Sequence, residues 1–189
     1  WHNGDKFTAD DVVYTMGVVA ESPAGPNYDY IDYANVQAVD ELTVYFPLTR
    51  QMGVFEHRSS DLFTYCKSFE EGTNTTDPEG NELVACGTGP FVVTEYAKDD
   101  HVSYKRNENY WGDKAQLNGL TIRFISEAST AFMEVQTGNA QISNNTGATD
   151  LSNVQAGQYE NIVSSDDARM AHNGIAMNQH NEYFKDVRV

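Results

Sequence analysis

The stretch L-T-I-R-F-I-S-E-A-S-T-A-F-M-E-V-Q-T-G at residues 120–138 decides the fold class. Leu120, Ile122 and Phe124 alternate with Thr121, Arg123 and Ile125, the period of two expected of a strand. From Ser126 the period becomes helical, with Ala131, Phe132 and Val135 on one side and Gly138 as the stop. A strand running straight into a helix is the building unit of α/β architecture. Downstream, the pattern predicts a short strand at 140–143, a helix at 150–156 and strands at 161–164 and 170–178. Upstream, apolar runs at 91–96 and 101–106 flank Lys98-Asp99-Asp100, which reads as a hairpin. The fold class is mixed α and β.

The first third is less regular. Thr8-Ala9-Asp10-Asp11 has the form of a helix start, with Thr8 as N-cap and acidic residues facing the positive end of the helix dipole. Val12, Met16, Val19 and Ala20 follow at helical spacing, Val13 widens the stripe, and Ser22-Pro23-Ala24-Gly25-Pro26 ends it. Runs at 36–39 and 42–46 read as two strands turning at Asp40-Glu41, residues 52–63 as a helix weakened by Gly53, and residues 70–82 as a loop.

Composition narrows the function. The chain has 189 residues, 40% of them hydrophobic and 12% aromatic, enough for a packed core. Its formal net charge of -16 repels phosphate backbones and anionic lipid surfaces, which argues against nucleic-acid and membrane-surface binding. No apolar run approaches the ~20 residues that span a bilayer. The chain starts in mid-pattern at Trp1 and stops at Val189 without a helix-stop or turn signal, so it reads as an internal piece of a longer protein.

Cys66 and Cys86 stand either side of the polar loop. No Cys-x-x-Cys is present and no histidine lies at ligand spacing from either sulfur. A disulfide across the loop is the favoured reading, worth about 3 kcal/mol in the chain-entropy model and implying an oxidising compartment. Two unrelated thiols are the alternative. His2, His57, His101, His172 and His180 show no metal-ligand spacing, so neither metal nor cofactor is expected. Asp10-Asp11 suits the helix dipole and Asp99-Asp100 a turn, and no nucleophile–base pair emerges, so the chain reads as a non-enzyme. Gly87-Thr88-Gly89-Pro90 resembles a phosphate cradle only superficially, because Pro90 lacks an N–H and no Lys-Ser/Thr follows. It reads as a turn. Arg106 and Trp111 read as residues that pin a strand end, with Trp111 gaining by burial. Ser143-Asn144-Asn145-Thr146 lies between a predicted strand and a helix, where open α/β sheets place ligands. Amide and hydroxyl groups at Asn144, Asn145 and Thr146 suit a peptide backbone or another neutral polar solute.

Five segments, taken in order, carry a family resemblance: H-N-G-D-K-F-T-A-D-D-V-V-Y (2–14), G-T-G-P-F (87–91), Y-K-R-N-E-N-Y-W-G-D-K (104–114), I-R-F-I-S-E-A-S-T-A-F-M-E-V-Q-T-G-N-A-Q-I (122–142) and M-N-Q-H-N-E-Y-F-K-D-V-R-V (177–189). Together they resemble the family 5 extracytoplasmic solute-binding proteins, the oligopeptide, dipeptide and nickel receptors of ABC importers. Gly138-Asn139-Ala140-Gln141 departs from the acidic turn of many relatives, and the cysteine loop is not a general family feature. The resemblance implies a type II periplasmic-binding-protein-like fold with two ligand-gripping lobes and an extra domain. Residues 1–86 would be the later part of the extra domain, and 87–189 the central part of the first lobe, ending near the hinge. It implies that the segment at 143–146 faces the cleft, that Tyr14, off the apolar stripe, borders the ligand, and that His172 lies near the hinge and lines the cleft. It also implies a monomeric receptor, free in the periplasm or anchored as a lipoprotein, that captures peptides and delivers them to ABC permease subunits. A different cargo on the same fold (nickel chelate, oligosaccharide or opine) and a non-transport interaction or signalling module are the rival readings.

Overall fold

A computed structural model describes residues 1–22, 29–59 and 62–165. The chain divides into two compact units, Trp1–Phe124 and Ile125–Val189. The boundary expected from the family at Gly87 falls inside the first.

The first unit is organised by helix α1, Ala9–Glu21. Thr8 caps it, and the Asp11 carboxylate returns to accept the Thr8 N–H at 2.9 Å. Met16 is fully buried beside Tyr30, Ile31 and Val36, with Val13, Val19, Val44, Phe46, Met52, Phe55 and Leu62 packed around them. The predicted stripe holds at Val13, Met16 and Val19, while Ala20 faces solvent. A second buried stripe on α1 is polar. Asp11 is only 5% exposed and Thr15 fully enclosed. The Thr15 hydroxyl donates to Asp11 O at 2.7 Å and accepts the Tyr65 N–H at 2.8 Å. Asp11 also accepts the Lys67 N–H at 3.0 Å and the Trp1 indole N–H at 3.1 Å. One face of α1 thus buries hydrocarbon, and the other satisfies the main chain of residues 65–67.

Strands β1, Gln37–Asp40, and β2, Thr43–Tyr45, form the expected antiparallel hairpin. At its turn Asp40 Oδ1 accepts the Leu42 N–H, and Glu41 O accepts the Ala9 N–H, fastening the hairpin to the start of α1. The helix expected at 52–63 shortens to α2, Phe55–Ser59. Gly53 and the Ser-Ser-Asp run at 59–61 are poor helix formers, and Phe55 reaches the core from a single turn. A one-turn helix, α3 at Lys67–Glu70, was not legible in the sequence; Cys66 occupies its N-cap position.

Strands β3 (Phe91–Ala97), β4 (His101–Arg106) and β5 (Gly119–Arg123) make an antiparallel meander in the order β3-β4-β5. Val92 pairs with Lys105, and Tyr104 with Leu120. Gly119 is dictated by the crowding here, since a Cβ would stand 2.5 Å from Tyr104 O. The loop before the sheet is tied to it through Asp77. Its carboxylate accepts the Asn81 side-chain amide at 3.0 Å and the Asn81 N–H at 2.8 Å and pairs with Lys105 Nζ at 3.0 Å, contacts that hold its pKa down to about 2.

In the second unit, α4 (Ala128–Gln136) ends at Gly138, whose positive φ of 78° lets the Ala140 N–H reach back to Glu134 O. α5 (Ala148–Gln155) follows. Ala131, Phe132 and Val154 are buried, and Phe132 meets Tyr159 edge-on at 5.3 Å. The strands expected at 140–143 and 161–164 are not strands. Residues 140–143 alternate apolar with polar side chains and residues 161–164 hold an apolar pair, but a strand exists only in a ladder, and among the described residues no partner pairs with either. The strand expected at 170–178 lies outside the described residues.

Replacing Asp11 with Ala leaves the Thr8 and Lys67 N–H groups without their acceptor. The expected loss is about 3 kcal/mol of unfolding free energy, read by urea denaturation. A loss under about 1 kcal/mol would mean that water replaces the carboxylate without cost.

Candidate functional site

The segment joining α4 to α5 carries the predicted ligand-contact residues. Ser143 Oγ and the Asn145 main chain close a small turn, with the Asn145 N–H on Ser143 Oγ at 3.2 Å. The Asn145 amide donates to Ile125 O at 3.3 Å and to Ser126 O at 3.1 Å. Both its N–H groups are therefore committed to holding the segment against the start of the unit, and its carbonyl remains as an acceptor. Asn144 is exposed and Thr146 half-buried, so the donors available to a solute on this segment are theirs. The segment carries no charged side chain before Asp150, and its chemistry is that of neutral hydrogen bonding. Tyr14 belongs to the first unit, half-buried on α1. His172 lies outside the described residues.

What sequence reading missed is the convergence of three motifs on the turn at 87–90. His2 is buried and brackets Gly87: its N–H donates to Gly87 O at 2.8 Å, and its Nδ1 accepts the Gly87 N–H at 3.1 Å. With Nδ1 accepting, the ring proton sits on Nε2 and donates to Gly89 O at 3.0 Å. Asn107 donates its amide to Gly89 O and its N–H to Pro90 O. Trp111 donates its indole N–H to Thr88 O at 3.0 Å. The burial expected of Trp111 at its own strand end is not found, since it is 82% exposed and its indole N–H holds the turn at 87–90 instead. Arg106 pairs with Glu108 at 2.7 Å and reaches Ala115 O. A Cβ at Gly87 would press on the His2 ring at 3.3 Å. The sequence signal was the recurrence of W-H-N-G, G-T-G-P and R-N-E-N-Y-W as separate motifs. Their contact is a property of the fold.

Residues 1–189 match the model of the bacterial extracellular solute-binding proteins, family 5 Middle. The chain belongs to the family 5 bacterial extracellular solute-binding proteins. It is 26% identical to the dipeptide-binding protein of Escherichia coli, covering all of this chain and 39% of that protein. It is 24% identical to heme-binding protein A of Haemophilus influenzae, over 97% of this chain and 36% of the relative. The solved structure of the oligopeptide-binding protein AppA from Bacillus subtilis, in complex with a nonapeptide, superposes with a TM-score of 0.61 at 25% identity, covering 85% of this chain and 32% of that one. The chain thus spans little more than a third of the length of these curated relatives. Family 5 solute-binding proteins are extracytoplasmic transport receptors, not enzymes. The mixed α and β architecture is that of part of a periplasmic binding protein. Among the described residues no helix is long and apolar enough to cross a membrane.

His2 gives this family 5 protein a pH signature. Burial pushes the imidazole below its ordinary 6.5, and the hydrogen bond to Gly89 O only partly opposes this. The folded state therefore binds the proton less readily than the unfolded chain, and His2's contribution to stability is present above pH 6.5 and lost as pH falls through the folded value. His101 works in the opposite sense, because hydrogen bonds to Asp100 and Glu95 raise its pKa; its contribution is present below pH 6.5 and lost as pH rises through its folded value. The readout is thus a difference. Between pH 7 and pH 5, wild type should lose more stability than His2→Gln, by at most about 1.4 kcal/mol per pH unit. Parallel profiles would remove His2 from the acid transition.

Proposed function

We propose that this chain is part of the substrate-binding component of an ABC importer that captures oligopeptides or dipeptides outside the membrane. Residues 1–86 are the later part of the family's extra domain, and residues 87–189 the central part of its first lobe. The second lobe completes the site, and closure of the two around the ligand supplies affinity from both. The observation that carries the reading is the family match along the whole chain, 1–189. A dipeptide-binding relative and a peptide-bound solved structure support the cargo class.

The segment at 143–146 suits that cargo. A peptide backbone offers one neutral donor and one neutral acceptor per residue, and Asn144, the Asn145 carbonyl and Thr146 match both. Tyr14 borders the ligand and His172 lines the cleft near the hinge. The receptor acts as a monomer, free in the periplasm or lipid-anchored, and hands its cargo to ABC permease subunits. A second reading, another cargo on the same fold, is favoured by the heme-binding relative, whose 24% identity stands beside the 26% of the dipeptide-binding one.

Native mass spectrometry of the full-length protein as purified, followed by release and sequencing of its cargo, tests the assignment. A ladder of co-purified peptides is expected, and a single non-peptide mass would overturn the peptide assignment. With a bound peptide in hand, Asn144→Ala should weaken affinity roughly 5- to 10-fold by calorimetry, the size of one lost hydrogen bond. An unchanged Kd would remove this segment from the site.

A further inference from the structure

The sequence places Cys66 and Cys86 on either side of a loop, and the fold brings them to one place. Cys66, 1% exposed, precedes α3. Cys86, half-buried, precedes the turn at 87–90. Both are free thiols, and the Cys66 sulfur is close enough to Cys86 to push its pKa up. The segment at 1–5 runs beside them both. Asn3 donates its amide to Cys66 Sγ at 3.6 Å, to Ser68 Oγ at 3.0 Å and to Asn74 O at 3.0 Å. His2, the residue before Asn3, holds the residue after Cys86, with its N–H on Gly87 O at 2.8 Å and its Nδ1 on the Gly87 N–H at 3.1 Å. Asn74 returns its own amide to Asn3 O and to Asp5.

We propose that Cys66 and Cys86 are a disulfide site, a covalent clasp that closes segment 67–85 beside Asn3. Two other uses of the pair fail on geometry. A metal centre would need further ligands, and the adjacent imidazole of His2 has both nitrogens engaged, one by Gly87 N–H and one by Gly89 O. A reactive redox centre needs an accessible thiolate, yet Cys66 is enclosed, and burial with the neighbouring Cys66 thiol pushes Cys86 up to about 12. The same features suit a structural bond, made before the sulfurs are covered and then protected from reduction.

The chemistry is thiol–disulfide exchange with a disulfide oxidant, either an extracytoplasmic dithiol oxidase or, in vitro, oxidised glutathione. One cysteine thiolate attacks the oxidant disulfide and expels one thiolate, giving a mixed disulfide. The second cysteine then displaces the other. The two cysteines lose two electrons and two protons, and the oxidant disulfide leaves as two thiols. Only the identity of the oxidant in the cell rests on the extracytoplasmic location proposed above.

The test is refolding of the reduced, denatured full-length protein in a glutathione redox buffer, followed by alkylation and trypsin. Cleavage after Arg58, Lys67 and Lys98 places the two cysteines on separate peptides, 59–67 and 68–98. The expected product is those two peptides joined, separating on reduction. The oxidised protein should unfold at a higher urea concentration than the reduced one, and that shift should vanish in Cys86→Ser, whose substitution lies at the less buried position. Two alkylated cysteines, or two glutathione adducts, in protein that circular dichroism shows to be folded would overturn the proposal. Because the readout follows sulfur alone, a failure of the peptide-cargo assignment leaves the result intact, and the reverse holds too.

Discussion

The first unit depends on a buried carboxylate. Asp11 takes hydrogen bonds from the Trp1 indole, the Thr8 main chain and the Lys67 main chain, and Thr15 one turn later takes that of Tyr65. A charge removed from water is tolerated only when its lone pairs are filled, and here three separate stretches of chain fill them. The apolar face of α1 gathers the core around Met16 without fixing direction, since hydrophobic packing is non-directional. The polar face supplies the direction. It sets where residues 65–67 lie, and so where Cys66 and the loop to Asp77 begin.

From that anchor the structure passes to the turn at 87–90. His2, Trp111 and Asn107 donate to the four successive carbonyls of Gly87, Thr88, Gly89 and Pro90, and the glycine at 87 leaves room for the imidazole. The turn has the composition of an anion nest but the opposite polarity of use: its carbonyls, not its N–H groups, are the busy partners. That is why a glycine-rich motif in a strongly acidic chain is a structural joint. The second unit uses the same device on a smaller scale, with the Asn145 amide holding two carbonyls at Ile125 and Ser126.

The sequence made local order legible and long-range polar contacts illegible. Helix α1, the β1–β2 hairpin and the three-strand meander follow from apolar period and turn residues within a few positions of one another. The helix expected at 52–63 contracted because Gly53 and the serines outweighed its apolar content. The strand expected at 140–143 failed for want of a neighbour, which no local pattern reveals. Asp10-Asp11 looked like a dipole pair, and only the fold distinguishes exposed Asp10 from buried Asp11, one of whose partners, Lys67, lies more than fifty residues away. At the candidate site the polar run at 143–146 was evident. That Asn145 serves the scaffold while Asn144 faces solvent was not, because the carbonyls it holds are twenty residues upstream.

The tautomer of His2 has a spectroscopic consequence. Its Nε2 proton is held between the ring and Gly89 O in a residue that solvent scarcely reaches. Such a proton exchanges with water only when the joint opens. A side-chain imidazole resonance, ordinarily broadened away by fast exchange, would then persist and report the docking of the first strand of chain on the turn. The opening free energy of this one joint would be readable from its exchange rate, apart from the unfolding of the whole.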